Sequence, residues 1–490
     1  MNPSTTSSWG ELLSGRNGLR SIALAGGVAL HAINIYLATT ILPSVVHEIG
    51  GLEYYAWNTT LFMAASIVGA PLSTNLLGRV GPRAAYLIAL AVFCAGTLAC
   101  AAARDMPWML AGRVAQGFGG GILVALSYAL IRIVFELRLW SRGIGMVSGM
   151  WGIATLCGPA IGGLFAESGH WRLAFLALLP IAALLALLAL IVIAQLPARQ
   201  AARASAAPAA LGRILLLAAS VLVVSVASLS RSAVVNVAGI AVGVALTLLI
   251  ARLERDARTR LLPSGTYSLR QPLGAIYACM SLLGIGVTTE IFVPYFLQTI
   301  HAQPPLLAGY LSALMAAGWS IGSLVGSGRG PHAARILMRG GPVLVALALL
   351  GLALLMPAPG LLATGAGLAA LCGALVAVGL GVGMGWPHLL TQVLTRAPAG
   401  QEDLASASLT TVQLYATAIG SALAGLVANL GGFTEPGGLP GARQAAVWLF
   451  ATFAIAPLLV AILVRRVSGA APGDTPATRA PVASTHAEDV

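Results

Sequence analysis

Lysine is absent from this 490-residue sequence, and acidic residues are scarce, with 15 in the whole chain. Charged residues make up 9% of the chain, hydrophobic residues make up 58%, and the mean hydropathy is +0.90. A soluble protein of this length needs more polar surface than this composition supplies, so the composition indicates a membrane protein. The five cysteines lack the spacing of a metal site or a disulfide framework, and we interpret them as small buried residues.

Sequence signatures of enzymes are also missing. The chain has no Walker loop for ATP, no His or Cys cluster with zinc spacing, and no extramembrane segment long enough for a catalytic domain. We therefore predict that the protein is not an enzyme and that it uses neither a metal ion nor another cofactor.

Fourteen apolar segments remain when the chain is divided wherever charges or turn residues cluster. Each is close to the roughly 20 residues that cross the hydrocarbon core of a bilayer, which predicts an all-α membrane protein with 14 spans. With the N-terminus inside, 22 of the 27 arginines lie on the cytoplasmic side, and four lie outside: Arg104, Arg172, Arg231 and Arg443. This asymmetry predicts a multi-pass protein of the cytoplasmic (inner) membrane with both termini cytoplasmic. The net charge of +12 is interpreted as this topology signal, so lipid but no nucleic acid is an expected partner.

A loop sequence that occurs twice predicts the domain organisation. GRVGPRAAYLI (78–88) follows the second span, and GRGPHAARIL (328–337) follows the tenth. This offset fits two six-helix units separated by a two-helix insert. The predicted parts are a cytoplasmic N-terminal tail (1–20), an N-terminal six-helix bundle (21–195), a linker with inserted helices 7 and 8 (196–272), a C-terminal six-helix bundle (273–466) and a disordered cytoplasmic tail (467–490).

Three motifs carry a resemblance to a known family. They are LAGRVAQGFGGG (110–121), GIATLCGPAIGG (152–163) and HWRLAFL (170–176). Together they resemble the major facilitator superfamily, and within it the 14-helix drug:proton antiporters. The resemblance implies a major facilitator fold of two six-helix bundles plus two extra transmembrane helices. It also implies a proton-coupled, monomeric transporter that exports amphiphilic or cationic drug-like compounds by alternating access.

The second of these motifs is rich in small residues. Gly158 and Gly162, like Gly145, Gly149 and Gly152, recur at helical spacing and predict close approach of two helix backbones. A proline within the motif removes one backbone donor and permits a bend. We interpret the set as a conformational motif, whose members are Gly152, Gly158, Pro159, Gly162 and Gly163.

The sequence departs from the family pattern at two places. In the cytoplasmic loop, Gly78 stands where relatives have an acid before Arg79, Gly81 and Arg83. Either other contacts control gating, or the two arginines serve mainly as inside anchors.

The other departure is in the first span, where Asn34 stands where many relatives carry an aspartate. Asn34 cannot carry a proton, whereas His31, one turn earlier on the same face, could titrate near neutral pH. A hydrogen-bonded structural histidine is the alternative.

Two charged residues inside apolar spans need a partner or a use. Glu290, in GVTTEIFVPYF (286–296), is the clearest acid within a span, and an ionised carboxylate there costs roughly 2 to 4 kcal/mol. Burial favours its protonated form, so Glu290 is the first candidate for proton coupling; a structural acid near the outer end of the span is the alternative. Arg113 must find acceptors such as Asn34, backbone carbonyls of the first span or water. The family resemblance implies that Arg113 relays protonation, and an interhelical clamp is a compatible role.

Aromatic and polar residues in the spans are candidates for a substrate cavity. The predicted lining consists of Asn34, Tyr36, Gln116, Trp151, Phe292 and Tyr295. By contrast, Tyr54, Tyr55 and Trp57 lie near the end of a span and are predicted to anchor at the membrane interface. Two rival functions stay open: an exporter or symporter of another small solute, and a transport-inactive membrane receptor or assembly partner.

Overall fold

The computed structural model describes residues 8–193, 211–255, 257 and 259–469, and this part of the chain is almost entirely helical. Twelve of its helical segments, some of which join two successive helices, are long and apolar enough to cross a membrane, and a further apolar helix is shorter. The predicted all-α membrane class is therefore confirmed. Residues 1–7, 194–210, 256, 258 and 470–490 lie outside the described part, so the first residues of the predicted linker (196–272) and most of the predicted disordered tail (467–490) fall outside it.

The first half of the chain contains seven helices. They are α1 (Trp9–Leu13), α2 (Gly15–Ile49), α3 (Trp57–Ala101), α4 (Met106–Val134), α5 (Trp140–Glu167), α6 (Trp171–Leu176) and α7 (Leu178–Val192). The pair predicted as an insert follows as α8 (Leu211–Ala227) and α9 (Ala233–Arg255). The remaining helices are α10 (Pro272–Val287), α11 (Val293–His301), α12 (Pro305–Gly326), α13 (Pro331–Leu355), α14 (Gly365–Thr395), α15 (Glu402–Leu430), α16 (Gly438–Phe453) and α17 (Ile455–Gly469).

Helix α3 contributes two spans because it turns at Gly81. Its 45 residues would measure about 67 Å as a straight helix, twice the hydrocarbon thickness of roughly 30 Å. At Gly81 the backbone leaves the helical region, with φ 80° and ψ 172°. Gly117 of α4 lies against Phe62 in the first half of α3, and Gly119 lies against Phe93 in the second half. The two halves therefore flank the same turn of α4. If they are counted as two segments and the shorter helix α8 is added, the twelve candidate spans become fourteen apolar segments.

The N-terminal boundary differs from the sequence prediction. Residues 9–20 were assigned to a tail, but α1 and the first turns of α2 occupy them. Leu12 is completely buried, and its carbonyl oxygen accepts a hydrogen bond of 3.0 Å from the hydroxyl of Ser21. Burial of this apolar side chain holds the segment against the helices.

Prolines explain why three predicted spans are each split into two helices. Proline has no backbone N–H to donate to the carbonyl four residues earlier, so a helix breaks there. Pro180 follows the end of α6 at Leu176 by four residues, and Pro457 follows the end of α16 at Phe453 by four. Pro294 likewise follows Glu290, which lies in the 3-10 turn Thr288–Phe292 between α10 and α11. The sequence prediction treated 273–299 as one uninterrupted span, so the break beside Glu290 is a correction.

The N-terminal helices (α2–α7) and C-terminal helices (α10–α17) meet tightly at one end of the molecule. We call this the closed end; it carries the loops 50–56, 168–170 and 302–304. Gly163 of α5 lies against Leu306 of α12, and Gly309 of α12 lies against Thr40 of α2. The backbone N–H of Leu306 also donates to Glu167 over 3.1 Å.

The same face of α5 is uncovered toward the opposite end, which we call the open end. Gly152, Gly149 and Gly145 continue the helical face that carries Pro159 and Gly163. A Cβ atom built at any of these three glycines would meet nothing within 4 Å. The helix groups therefore separate along α5, and the predicted close approach at Gly152 does not occur in this conformation. By contrast, Gly158 and Gly162 do pack closely, against Tyr36 and Leu37 of α2.

Candidate functional site

Arg113 lies at the centre of a buried polar network between α2, α3 and α4, and its side chain is only 1% exposed. Its Nη1 donates to Asn34 Oδ1 over 3.2 Å and to Gln116 Oε1 over 2.8 Å. Its Nε donates to the backbone carbonyl of Asn58 over 3.2 Å. These three acceptors join three helices through one guanidinium, which fits the clamp role.

The partners of Arg113 only partly match the sequence prediction. Asn34 was foreseen as an acceptor, but the backbone carbonyl comes from Asn58 in α3 rather than from the first span. Gln116 is held from its other side, because its Nε2 donates to the hydroxyl of Thr97 over 3.0 Å. Sequence reasoning missed Asn58 and Thr97, although each is a polar residue within an apolar segment. Asn34 and Gln116 are fully buried here, so their place in a substrate cavity stays a prediction.

His31 lies beside the same network. The ring of Phe62 contacts both His31 and Arg113: the imidazole centroid lies 4.9 Å from the centroid of the Phe62 ring, and the guanidinium carbon of Arg113 lies 4.2 Å from the same centroid in a cation–π contact. Nδ1 of His31 is buried without a hydrogen-bond partner, and Gly120 leaves the space that this nitrogen occupies. Trp151 meets His31 edge-on at 6.2 Å and is 37% exposed, so it connects this buried cluster with the uncovered side of α5.

Glu290 belongs to the C-terminal helices and lies near the middle of the segment Pro272–His301, not at its end. Pro294 cannot donate to the backbone carbonyl of Glu290, which accepts hydrogen bonds from the backbone N–H of Val293 and, over 3.5 Å, from the hydroxyl of Ser312. The side chain is half-buried, and Oε1 is buried without a hydrogen-bond partner. Tyr36 of α2 interacts electrostatically with this carboxyl group across the two helix groups. Among the described residues, Glu290 is thus the only acid in the interior of a candidate membrane-spanning segment.

An aromatic cluster joins the two helix groups at the closed end. Tyr55 lies 5.1 Å from Phe292 and 5.4 Å from Tyr295, measured between ring centroids. Phe433 completes the cluster at 4.7 Å from Tyr295, 5.1 Å from Phe292 and 5.5 Å from Tyr55. Tyr55 is only 1% exposed, so its predicted role as an interface anchor is wrong: it faces the C-terminal helices. Phe292 and Tyr295 close the molecule here, and their predicted contact with substrate remains untested by this arrangement.

The predicted cytoplasmic loop residues lie apart from these clusters. Gly81 forms the turn inside α3. Nε of Arg83 donates to the carbonyl of Ile193 over 2.9 Å and so attaches this turn to the end of α7, while Arg79 is exposed. These positions are compatible with anchoring, which stays a prediction.

Truncating Phe433 to alanine is expected to open the closed end. Removing a buried phenylalanine costs on the order of 3 to 5 kcal/mol, and here the loss falls on a cluster that exists only while the two helix groups touch. Spin labels at Ser168→Cys and Ala366→Cys, both exposed at this end, should therefore report an added, longer distance. Phe175→Ala is the matched control, because Phe175 is buried within the N-terminal helices. An unchanged distance in the Phe433 variant would contradict a role in closure.

Sequence comparison places the chain among transporters. Residues 24–414 match the family described as Major Facilitator Superfamily. A probable multidrug-efflux transporter of Mycobacterium tuberculosis (strain ATCC 25618 / H37Rv) is 37% identical over 466 residues, covering 93% of this chain and 96% of that protein. A protein of the same description from strain CDC 1551 / Oshkosh matches equally well.

Solved structures share the fold. The crystal structure of the peptide transporter POT in complex with sulfate gives a TM-score of 0.64 at 14% identity, covering 92% of this chain and 95% of that chain. The crystal structure of the human organic anion transporter MFSD10 gives a TM-score of 0.57 at 18% identity, covering 91% of this chain and 99% of that chain. Because the family match spans most of the sequence and the relatives align over nearly their full length, this chain belongs to the major facilitator superfamily.

Proposed function

We propose that this protein is a proton-coupled efflux antiporter of the cytoplasmic membrane that exports amphiphilic or cationic compounds. The similarity to probable multidrug-efflux transporters supports the substrate class. The observation that carries the coupling is Glu290, whose carboxyl group lies at a helix break near the middle of a span with one oxygen buried and unpartnered. Such a group can change protonation when the hydration around it changes.

Electrostatics favour Glu290 over His31 as the proton carrier. A protonated His31 would place a second positive charge near the buried guanidinium of Arg113, because both groups contact the Phe62 ring. Glu290 has no positively charged neighbour among its described contacts. Its protonated carboxyl group is neutral, and its carboxylate paired with a cationic ligand is also neutral, so exchange of the proton for the ligand leaves no net charge in the cavity. Arg113 then acts as the clamp that fixes α2 to α3 and α4, and any relay passes through Asn34 and Gln116.

The conformation fits one state of an alternating-access cycle. The arginine distribution supports an orientation with the closed end outside, the open end toward the cytoplasm and both termini cytoplasmic. We assign the moving units to the predicted bundles, 21–195 and 273–466, acting within one monomer. In the opposite state, the uncovered face at Gly145, Gly149 and Gly152 would close on α12, because small residues allow two helices to approach.

Transport in proteoliposomes tests this function. With an imposed pH gradient, a fluorescent amphiphilic cation such as ethidium should accumulate, and a protonophore should stop the accumulation. Transport that persists unchanged without the gradient would contradict proton coupling. Empty liposomes give the background for both measurements.

An anionic substrate is the second candidate. Arg113 is buried, and its described hydrogen-bond partners are all neutral, so its positive charge is compensated by no acid among them. The same assay with amphiphilic anions separates the candidates. Gradient-dependent movement of anions but not cations would replace the first proposal with a transporter of another solute.

A further inference from the structure

The inserted hairpin, formed by α8 and α9 with the turn 228–232, covers a seam between the N-terminal and C-terminal helices. One face of α8 shares an apolar cluster with α3 and α15. Its buried members are Phe62, Met63 and Ile67 of α3; Ile214, Leu217, Val221 and Val224 of α8; Ile250 of α9; and Ala418, Ala422 and Leu426 of α15. Helix α9 packs behind α8, where Gly239 and Gly243 lie against Ala227 and Val224. Helix α8 therefore contacts both helix groups at once.

Hydrogen bonds attach the middle of the hairpin to α15. The hydroxyl of Tyr415 lies 3.0 Å from Ser220 Oγ in α8 and 2.7 Å from Thr247 Oγ1 in α9. Ser220 is completely buried, so this contact is shielded from water. One side chain of α15 thus holds both helices of the hairpin.

Both ends of the hairpin region are attached to the same side. At the closed end, Nδ2 of Asn429 donates to the carbonyl of Ser228 over 3.1 Å, and Arg231 pairs with Glu435. At the open end, the loop that follows α9 is fixed to the start of α15, because the backbone N–H of Ser264 donates to Oε1 of Gln401 over 2.8 Å. These attachments span the whole length of the hairpin.

The contact with α3 has a different character. The hydrogen bonds and the ion pair described above run from the hairpin region to α15 and its flanking loops, whereas the described contact with α3 is the apolar cluster. Apolar contacts are non-directional and can exchange neighbours, whereas a hydrogen bond broken in the membrane finds no water to replace it. Relative motion is therefore easier along α3 than along α15.

We propose that the inserted hairpin is a fixed part of the C-terminal bundle and that α3 slides along its α8 face during alternating access. Tyr415 is the positioning residue that fixes the hairpin. The seam between α3 and α15 thus stays covered while the bundles rock. The inference rests on the alternating-access part of the proposed function, and it is independent of the substrate and of the coupling ion.

Distances between spin labels in the full chain test the proposal without a measurement of transport. In a chain whose five cysteines are replaced, Ser168→Cys labels the N-terminal helices, Ala366→Cys the C-terminal helices and Val234→Cys the hairpin; all three positions are exposed. The three pairwise distances are measured in lipid nanodiscs across pH, with and without ethidium. We expect changes in the Ser168–Ala366 distance to be matched by Ser168–Val234, while Ala366–Val234 keeps one narrow distribution.

Other outcomes overturn the proposal. It fails if Ala366–Val234 shifts as much as Ser168–Ala366, or if Ser168–Val234 is the constant distance. It also fails if Ser168–Ala366 never changes, because a slide at α3 requires the bundles to move. A silent transport assay combined with the expected distances would instead reject only the proposed substrate or coupling.

Substitution of Tyr415 separates positioning from ordinary packing. Tyr415→Phe keeps the ring but removes the hydroxyl that joins Ser220 and Thr247, so the Ala366–Val234 distribution should broaden. Tyr310→Phe, at a partly exposed tyrosine of α12, is the matched control and should leave this distribution unchanged. A narrow distribution in the Tyr415 variant would show that the hydroxyl does not position the hairpin.

Discussion

Glu290→Gln is expected to abolish both the proton release that accompanies substrate binding and the transport driven by a pH gradient. Glutamine keeps the size and most of the hydrogen-bonding capacity of the side chain, but it cannot carry a proton. In the wild type, the carboxyl oxygen Oε1 is buried and unpartnered, so the arrival of a cation would favour release of a proton from this group. The variant should therefore bind substrate without exchanging a proton.

Proton release is best measured in weakly buffered detergent solution with a pH-sensitive dye, as amphiphilic cations are added to purified protein. Glu402→Gln is the matched control, because Glu402 is an exposed acid at the start of α15, and this variant should release protons as the wild type does. Binding of at least one cation must persist in the Glu290 variant for the comparison to be valid. Unchanged release would make Glu290 a structural acid and would direct the search to His31.

Composition and the lengths of the apolar segments were sufficient to predict an all-α membrane protein, whereas the major facilitator fold was implied by the motif resemblance. Long apolar segments specify membrane helices almost regardless of tertiary context, because backbone groups in hydrocarbon must be satisfied within the helix. Helix breaks were harder to place, although Pro180, Pro294 and Pro457 mark them. The offset of four residues between Pro294 and Glu290 could have revealed that this acid lies at a break rather than within a regular helix.

The site was predictable only in part, because a single sequence does not show which helix faces which. The need of Arg113 for hydrogen-bond acceptors follows from its chemistry, and the side chain of Asn34 was a reasonable candidate. The backbone carbonyl of Asn58 could not be singled out from the sequence, because every residue has a backbone carbonyl. Tyr55 illustrates the same limit. Its position near the end of a span fits both a lipid interface and a bundle interface, and only the packing against Phe292 and Phe433 distinguishes them.

Arg113→Leu is expected to destabilise the protein strongly and to eliminate transport. Removing the guanidinium leaves Asn34 Oδ1, Gln116 Oε1 and the carbonyl of Asn58 without their donor in a site closed to water. Each buried neutral acceptor left without its donor costs on the order of 1 to 3 kcal/mol. Thermal unfolding in detergent should show a clearly lowered midpoint, together with reduced yield in the membrane.

Arg113→Lys distinguishes a clamp from a relay. Lysine keeps the positive charge and can donate three hydrogen bonds, but it lacks the planar fork that reaches Asn34, Gln116 and Asn58 together. If Arg113 is chiefly a clamp, the unfolding midpoint should be intermediate, and transport should fall in proportion to the folded fraction. If Arg113 also relays protonation, the folded Arg113→Lys protein should still bind substrate, but its pH-gradient-driven rate per folded molecule should be lower. Wild-type stability and transport in this variant would contradict both roles, because the fork geometry would then be dispensable.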